Sequence, residues 1–159
     1  MDARTNAATE PAERILTLTR IFDAPRRLVF KAWTEPEHVM RWWGPHGFKV
    51  ISCQMDFRAG GTWRLCMRGP DGADTWQHFV YREIVEAKRL VFTYAFEDAR
   101  GVTGHETLVT VTFTNEGTKT KFTLHQAVFE TAVVRDDHVR GWSEALDHFA
   151  KYLTKLSAS

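Results

Sequence analysis

Cysteine is scarce in this chain of 159 residues: only Cys53 and Cys66 are present, too few for a disulfide scaffold, and both are expected as reduced thiols. Long apolar runs are missing too. None approaches the roughly 20 residues a bilayer-crossing helix needs, so no membrane is expected as a partner. Neither sign of charge dominates, with 21 Lys and Arg against 20 Asp and Glu, a net charge of +1 and a pI near 7.9. That balance leaves no electrostatic footprint for nucleic acid. The 7 histidines, at 38, 46, 78, 105, 125, 138 and 148, fall into no HxH or HExxH spacing, and no CxxC occurs, so no metal and no cofactor is expected. Internal repeats and low-complexity blocks are absent as well. The first twelve residues, MDARTNAATEPA, lack the apolar segment of a secretory signal and read as a frayed tail over 1–12. The remainder, 13–159, reads as a single cytoplasmic domain.

Aromatic residues are what the chain has in surplus. Eleven Phe, six Trp and three Tyr make up 13 % of it. Such large bodies imply either a thick core or a lined cavity, and composition does not choose between them.

The order of elements is legible from periodicity. A β-branched, apolar stretch over 13–22 predicts a strand, and Asp23-Ala24-Pro25 stops it and opens a short helix over 26–33. Thr34-Glu35-Pro36-Glu37 has the spacing of a capping box for a second short helix over 37–42, which Gly44-Pro45 ends. Trp42 and Trp43 are expected on different sides of that helix end, with at most one of them in the core. Period two then takes over, predicting strands over 48–55, 62–68, 76–85, 90–96, 107–114 and 119–128, with Ala59-Gly60-Gly61 and Gly69-Pro70-Asp71-Gly72 as turns. Short connections favour an antiparallel meander. The chain closes on an amphipathic helix over 136–156, where Val139, Trp142, Leu146, Phe149, Leu153 and Leu156 recur at spacings of three and four. Gly141 inside that helix costs about 1 kcal/mol relative to Ala and asks for a reason, either a close approach or room for Trp142.

The fold class is therefore α+β: a curved antiparallel sheet of about seven strands wrapped on a long C-terminal helix, with two short helices after the first strand. Alternation assigns the inward face. It holds Trp63, Leu65 and Met67; Leu90, Phe92, Tyr94 and Phe96; Val109, Val111 and Phe113; and Phe122, Leu124 and Gln126. Trp142, Leu146 and Phe149 face them from the helix. One helix about 10 Å across does not fill a wide curved sheet, so the rest is plugged by side chains or left open.

Several motifs resemble the START-like, or SRPBCC, superfamily. They are Arg20-Ile-Phe-Asp-Ala-Pro25, Val29-Phe-Lys-Ala-Trp33-Thr-Glu-Pro36-Glu37, Arg41-Trp-Trp-Gly-Pro45, Asp56-Phe-Arg-Ala-Gly60-Gly-Thr-Trp63, Met67-Arg-Gly-Pro-Asp71-Gly72 and Gly141-Trp142. More narrowly, they are similar to the branch named after activators of the ninety-kilodalton heat-shock protein's ATPase, over about 14–156. The resemblance implies a helix-grip fold around a hydrophobic cavity; members elsewhere in the superfamily bind lipids, sterols or polyketides, and some are cyclases or hydroxylase subunits. Phe79 stands where that family often has a small residue, and so narrows or seals the cavity.

The expected function is binding of a small hydrophobic molecule, lipid, aromatic or polyketide-like, between sheet and helix. The expected lining is Trp63, Leu65, Met67, Phe92, Tyr94, Val109, Val111, Phe122, Leu124, Gln126, Trp142, Leu146 and Phe149, with His78 or His105 as polar anchor. No catalytic residue is assigned: His105 and Glu106 are strand neighbours and face opposite sides. A cyclase-, aromatase- or hydrolase-type enzyme in the same cavity ranks second, because it needs inward acid–base groups within hydrogen-bond range. A chaperone-associated stress-response module ranks third, since fold does not fix function. A homodimer is left open.

Overall fold

The computed structural model describes residues 11–158. Of the tail expected over 1–12, residues 1–10 lie outside the described residues, and Ala12–Arg14 form a 3-10 turn that shortens the first strand. The elements are β1 (Leu16–Phe22), α1 (Arg26–Thr34), α2 (Pro36–Trp42), β2 (Lys49–Met55), β3 (Thr62–Arg68), β4 (Asp74–Val85), β5 (Arg89–Glu97), β6 (Thr107–Glu116), β7 (Lys119–Ala127) and α3 (Ala132–Ala158).

All seven strands join one antiparallel sheet in the order β1-β7-β6-β5-β4-β3-β2. Strands β2 to β7 run as a meander, while β1 pairs with β7 from Leu16↔Gln126 to Phe22↔Thr120. The two short helices thus carry the chain from one free edge to the other, and the sheet does not close into a barrel. Register shifts between Val50 and Ser52 in β2, and between Tyr81 and Glu83 in β4, mark bulges that bend those strands.

Buried apolar residues from every strand and from α3 belong to one cluster. On α3, Trp142, Leu146, Phe149 and Leu153 are buried, and Val139 and Leu156 pack beside them. The helix starts four residues earlier than periodicity predicts, because the Thr131 hydroxyl accepts the Val134 N–H (3.1 Å) and caps the first turn. At 27 residues it is about 40 Å long. Polar contacts fix it over the sheet: Arg20 donates to Asp147 (3.0 Å) and to Ser143 O (3.2 Å). Tyr152 Oη and His38 Nδ1 meet at 2.6 Å, tying α3 to α2. No helix of the described residues is long and apolar enough to cross a membrane.

Two local expectations are corrected. The capping box does not form, because Thr34 is still helical and its hydroxyl donates back to Phe30 O (2.9 Å); Pro36 at the first position starts α2 instead. Trp42 and Trp43 are both core, 1 % and 5 % exposed. The helix stops at Trp42, and Trp43 turns extended (φ −65°, ψ 141°), which swings its indole inward beside its neighbour's.

Candidate functional site

The middle of the sheet–helix interface is solid. Trp33, fully buried on α1, sits among Trp42, Trp43, Phe92, Phe122, Trp142 and Phe149, with ring centroids 5.0–6.4 Å away. Most of the residues expected to line a cavity are instead packed core. Trp63, Leu65, Phe92, Val109, Val111, Phe122, Leu124, Gln126, Leu146 and Phe149 are all 0 % exposed. Phe79 stacks on Trp63 (4.1 Å) and lies edge-on to Tyr94 (5.4 Å), filling the interior there.

Space remains at one end. A pocket of about 290 Å³ lies between the first half of α3 and the ends of β3, β4 and β5. Trp43, Gly44, Pro45 and Phe48 of the α2–β2 loop form one wall; Met67, Thr75, Gln77, Tyr94 and Phe96 of the sheet form another. Asp137, His138, Gly141, Trp142 and Ala145 complete it from α3. Of the expected lining, the structure brings Met67, Tyr94 and Trp142 to this pocket. The close approach expected at Gly141 is absent: a β-carbon there would meet nothing within 4 Å, and the residue lines the pocket.

Four side chains of the pocket wall, Trp43, Gln77, Tyr94 and His138, form one directed chain. Trp43 Nε1–H donates to Gln77 Oε1 (2.9 Å), and Gln77 Nε2–H donates to Tyr94 Oη (2.8 Å). His138 Nδ1 lies 2.9 Å from Val134 O and its Nε2 lies 3.1 Å from Tyr94 Oη. A carbonyl only accepts, so Nδ1 carries the hydrogen and Nε2 accepts from the Tyr94 hydroxyl. Burial pushes the Tyr94 hydroxyl above its ordinary value, the Gln77 hydrogen bond countering in part. Burial also pulls the His138 imidazole below its ordinary 6.5, against the Val134 carbonyl and Asp137. Both groups are therefore neutral near pH 7. Gln126 lies deeper, held by Trp142 Nε1–H (2.8 Å) and donating to Thr107 Oγ1 (2.9 Å).

Neither expected anchor faces this pocket. In β4 the inward parity falls on Gln77, Phe79 and Tyr81, so His78 points to the outer face, 3.6 Å from Glu97. His105 precedes β6, is exposed, and its Nε2 lies 2.7 Å from Val128 O. Gln77 and His138 went unassigned in their place. Gln77 was findable from its alternation with Phe79; His138 was findable from its place one turn before Trp142 on the same helix face.

At the rim, His46 Nδ1 and His148 Nε2 are 2.7 Å apart, and His46 N–H donates to Glu144 Oε1 (2.9 Å), fastening the α2–β2 loop to α3. Among the described residues, no three His, Cys, Asp or Glu side chains are gathered to hold a metal ion. The thiols are free and cannot pair: Cys53 stands opposite inward Leu65, whereas Cys66 stands opposite Ser52 on the other face. Burial pushes the Cys53 thiol up to about 11.

A family model described as Activator of Hsp90 ATPase homolog 1-like protein matches residues 23–154. The fold is similar to that of a protein from Nitrosomonas europaea, 23 % identical, covering 94 % of this chain and 99 % of that one with a TM-score of 0.79. It is also similar to the AHSA1 protein from Silicibacter pomeroyi (22 % identity, 88 % and 97 % covered, TM-score 0.80). A protein from Arthrobacter aurescens is comparable, with 24 % identity, 91 % and 88 % covered and a TM-score of 0.82. At such identities the likeness to solved structures is one of fold. No curated protein matches the chain.

Proposed function

We propose, from the premise that the chain belongs to the Activator of Hsp90 ATPase homolog 1-like protein family, that it binds a small, flat, largely apolar molecule in the pocket between α3 and the ends of β3–β5. One observation carries this reading. Where the rest of the interface is closed by packed rings, this end stays open and presents the faces and edges of Trp43, Phe48, Tyr94, Phe96 and Trp142. Aromatic walls with a few oriented polar groups are the general make-up of a small-molecule site. The volume of about 290 Å³ stands at the lower end of such sites and suits one or two fused rings better than a sterol or an extended acyl chain.

A second reading, an acid–base enzyme of cyclase, aromatase or hydrolase type, is favoured by the Tyr94–His138 pair at the pocket wall. Binding ranks first because these groups commit their hydrogen bonds to each other, to Gln77 and to Val134 O, which leaves neither a free acid nor a free base near pH 7.

Naphthalene is a suitable probe, with thermal unfolding as the readout in wild type and in Gly141→Phe, whose ring would occupy the pocket. At a hundred times its dissociation constant, a ligand adds roughly 2.7 kcal/mol to the native state. The expected result is a raised melting temperature in wild type and little change in Gly141→Phe. No rise in wild type, or an equal rise in both, would contradict the assignment.

A further inference from the structure

We propose that the polar end of the ligand is a hydrogen-bond-accepting oxygen, such as a ketone carbonyl, and that capturing it draws one proton onto His138 by reversing the Tyr94–His138 hydrogen bond. This rests on the pocket reading above and names the chemistry of that site.

The direction of the chain carries the inference. With His138 neutral, every bond runs one way, from Trp43 through Gln77 and Tyr94 to His138 and on to Val134 O. The Tyr94 O–H is committed to His138 Nε2, so it offers nothing to an oxygen in the pocket. An oxygen placed against it would compete for that hydrogen and leave Nε2 as a buried acceptor without a donor, a costly arrangement.

Protonation resolves the conflict. An imidazolium donates from both nitrogens, so Nδ1–H keeps Val134 O and Nε2–H now donates to Tyr94 Oη. That oxygen then accepts from both Gln77 and His138, and its own hydrogen is released toward the pocket that Tyr94 lines. Each proton is accounted for: one arrives from solvent at Nε2, and the Tyr94 hydrogen stays on its oxygen but changes acceptor from His138 to ligand. No bond in the ligand is made or broken.

Few other charges complicate this step. Tyr94 reaches His138 from β5, and Asp137 flanks it on α3 while pairing with Arg140 (3.3 Å). The uncharged rings of Phe96 and Phe129 pack beside His138, with centroids 5.8 and 4.9 Å away. Burial disfavours the imidazolium in the empty pocket and Asp137 favours it, so the proton is absent near pH 7 but within reach of a ligand that needs it.

The test compares 2-acetylnaphthalene, a ketone that does not itself titrate, with naphthalene, by calorimetry from about pH 5.5 to about pH 8 in buffers of different ionisation enthalpy. The expected result is ketone affinity that rises as pH falls, by up to tenfold per unit, with a buffer-dependent heat showing proton uptake. Naphthalene should bind with neither effect. In His138→Gln and in Tyr94→Phe the ketone should lose both its pH dependence and its buffer-dependent heat, whatever the change in overall affinity. Ketone binding that is flat with pH and independent of buffer, while naphthalene binds, overturns the proton coupling and leaves the pocket reading standing. pH dependence that persists in His138→Gln overturns it as well. Failure of both probes to bind wild type removes the pocket reading and this inference with it.

Discussion

Gly141 weakens α3 by about 1 kcal/mol relative to alanine, and the position its methyl group would take is empty to 4 Å. Gly141→Ala should therefore raise unfolding stability by about 1 kcal/mol in chemical denaturation while narrowing the pocket. An unchanged or lowered stability would mean that the position is constrained by something other than open space. At this scale the sequence was partly readable. Gly141 stood out as a helix-interior glycine, and Tyr94 and Met67 fell on the inward parity of their strands. Gln77 and His138 did not stand out, because nothing in composition tells a polar group at a pocket wall from one at the surface; that depends on which end of the interface stays unfilled. That Trp42 and Trp43 are both core went against expectation for a related reason: the inward turn of Trp43 depends on an extended backbone just past the helix end, which the pair Trp42-Trp43 does not encode by spacing.

Across neighbouring strands, the outer face of the sheet carries a clamp of its own. Arg64 on β3 reaches over β4 to Glu97 on β5 with two hydrogen bonds (2.9 and 2.8 Å), its guanidinium stacked 3.8 Å over Trp76. The Glu97 side chain is 4 % exposed, and Arg64 beside it, with a smaller contribution from His78, holds its carboxyl below the usual carboxylate range. A carboxylate with a depressed native pKa stabilises the fold fully above its ordinary 4.5 and loses that contribution as pH falls below it. Glu97→Gln should cost about 1–3 kcal/mol near pH 7, as a charge-assisted pair is replaced by a weaker one. The deficit relative to wild type should shrink below about pH 4.5, where the wild-type carboxylate is itself being protonated. A pH-independent deficit would place the loss in packing instead. The inward face was legible from alternation in β3, β5, β6 and β7, whose assigned residues are buried apart from Phe96, but it was not assigned for β1, β2 or β4. The clamp was not legible, because it joins strands that are not adjacent and follows from register, which short turns fix only once the pairing is known.

For the molecule as a whole, the sheet grips α3 as the hydrophobic pattern implies, but the space between them is mostly occupied. The sequence offered two outcomes for its aromatic surplus, a thick core or a lined cavity. The fold realises the first across the middle, around Trp33, and leaves an aromatic-lined space at one end of the α3–sheet interface, around Trp43 and Trp142. That division was beyond periodicity, since it depends on where α1 and α2 insert their indoles against the sheet.

The most direct measurement follows the six indole N–H signals of the tryptophans by ¹H–¹⁵N NMR while naphthalene is added. Trp43 and Trp142 should shift with one saturable affinity, Trp33 should move less, and Trp76 on the outer face should stay in place. If Trp76 moves while Trp43 and Trp142 do not, or if no indole responds, then the open end of the helix–sheet interface is not where this protein takes a small molecule.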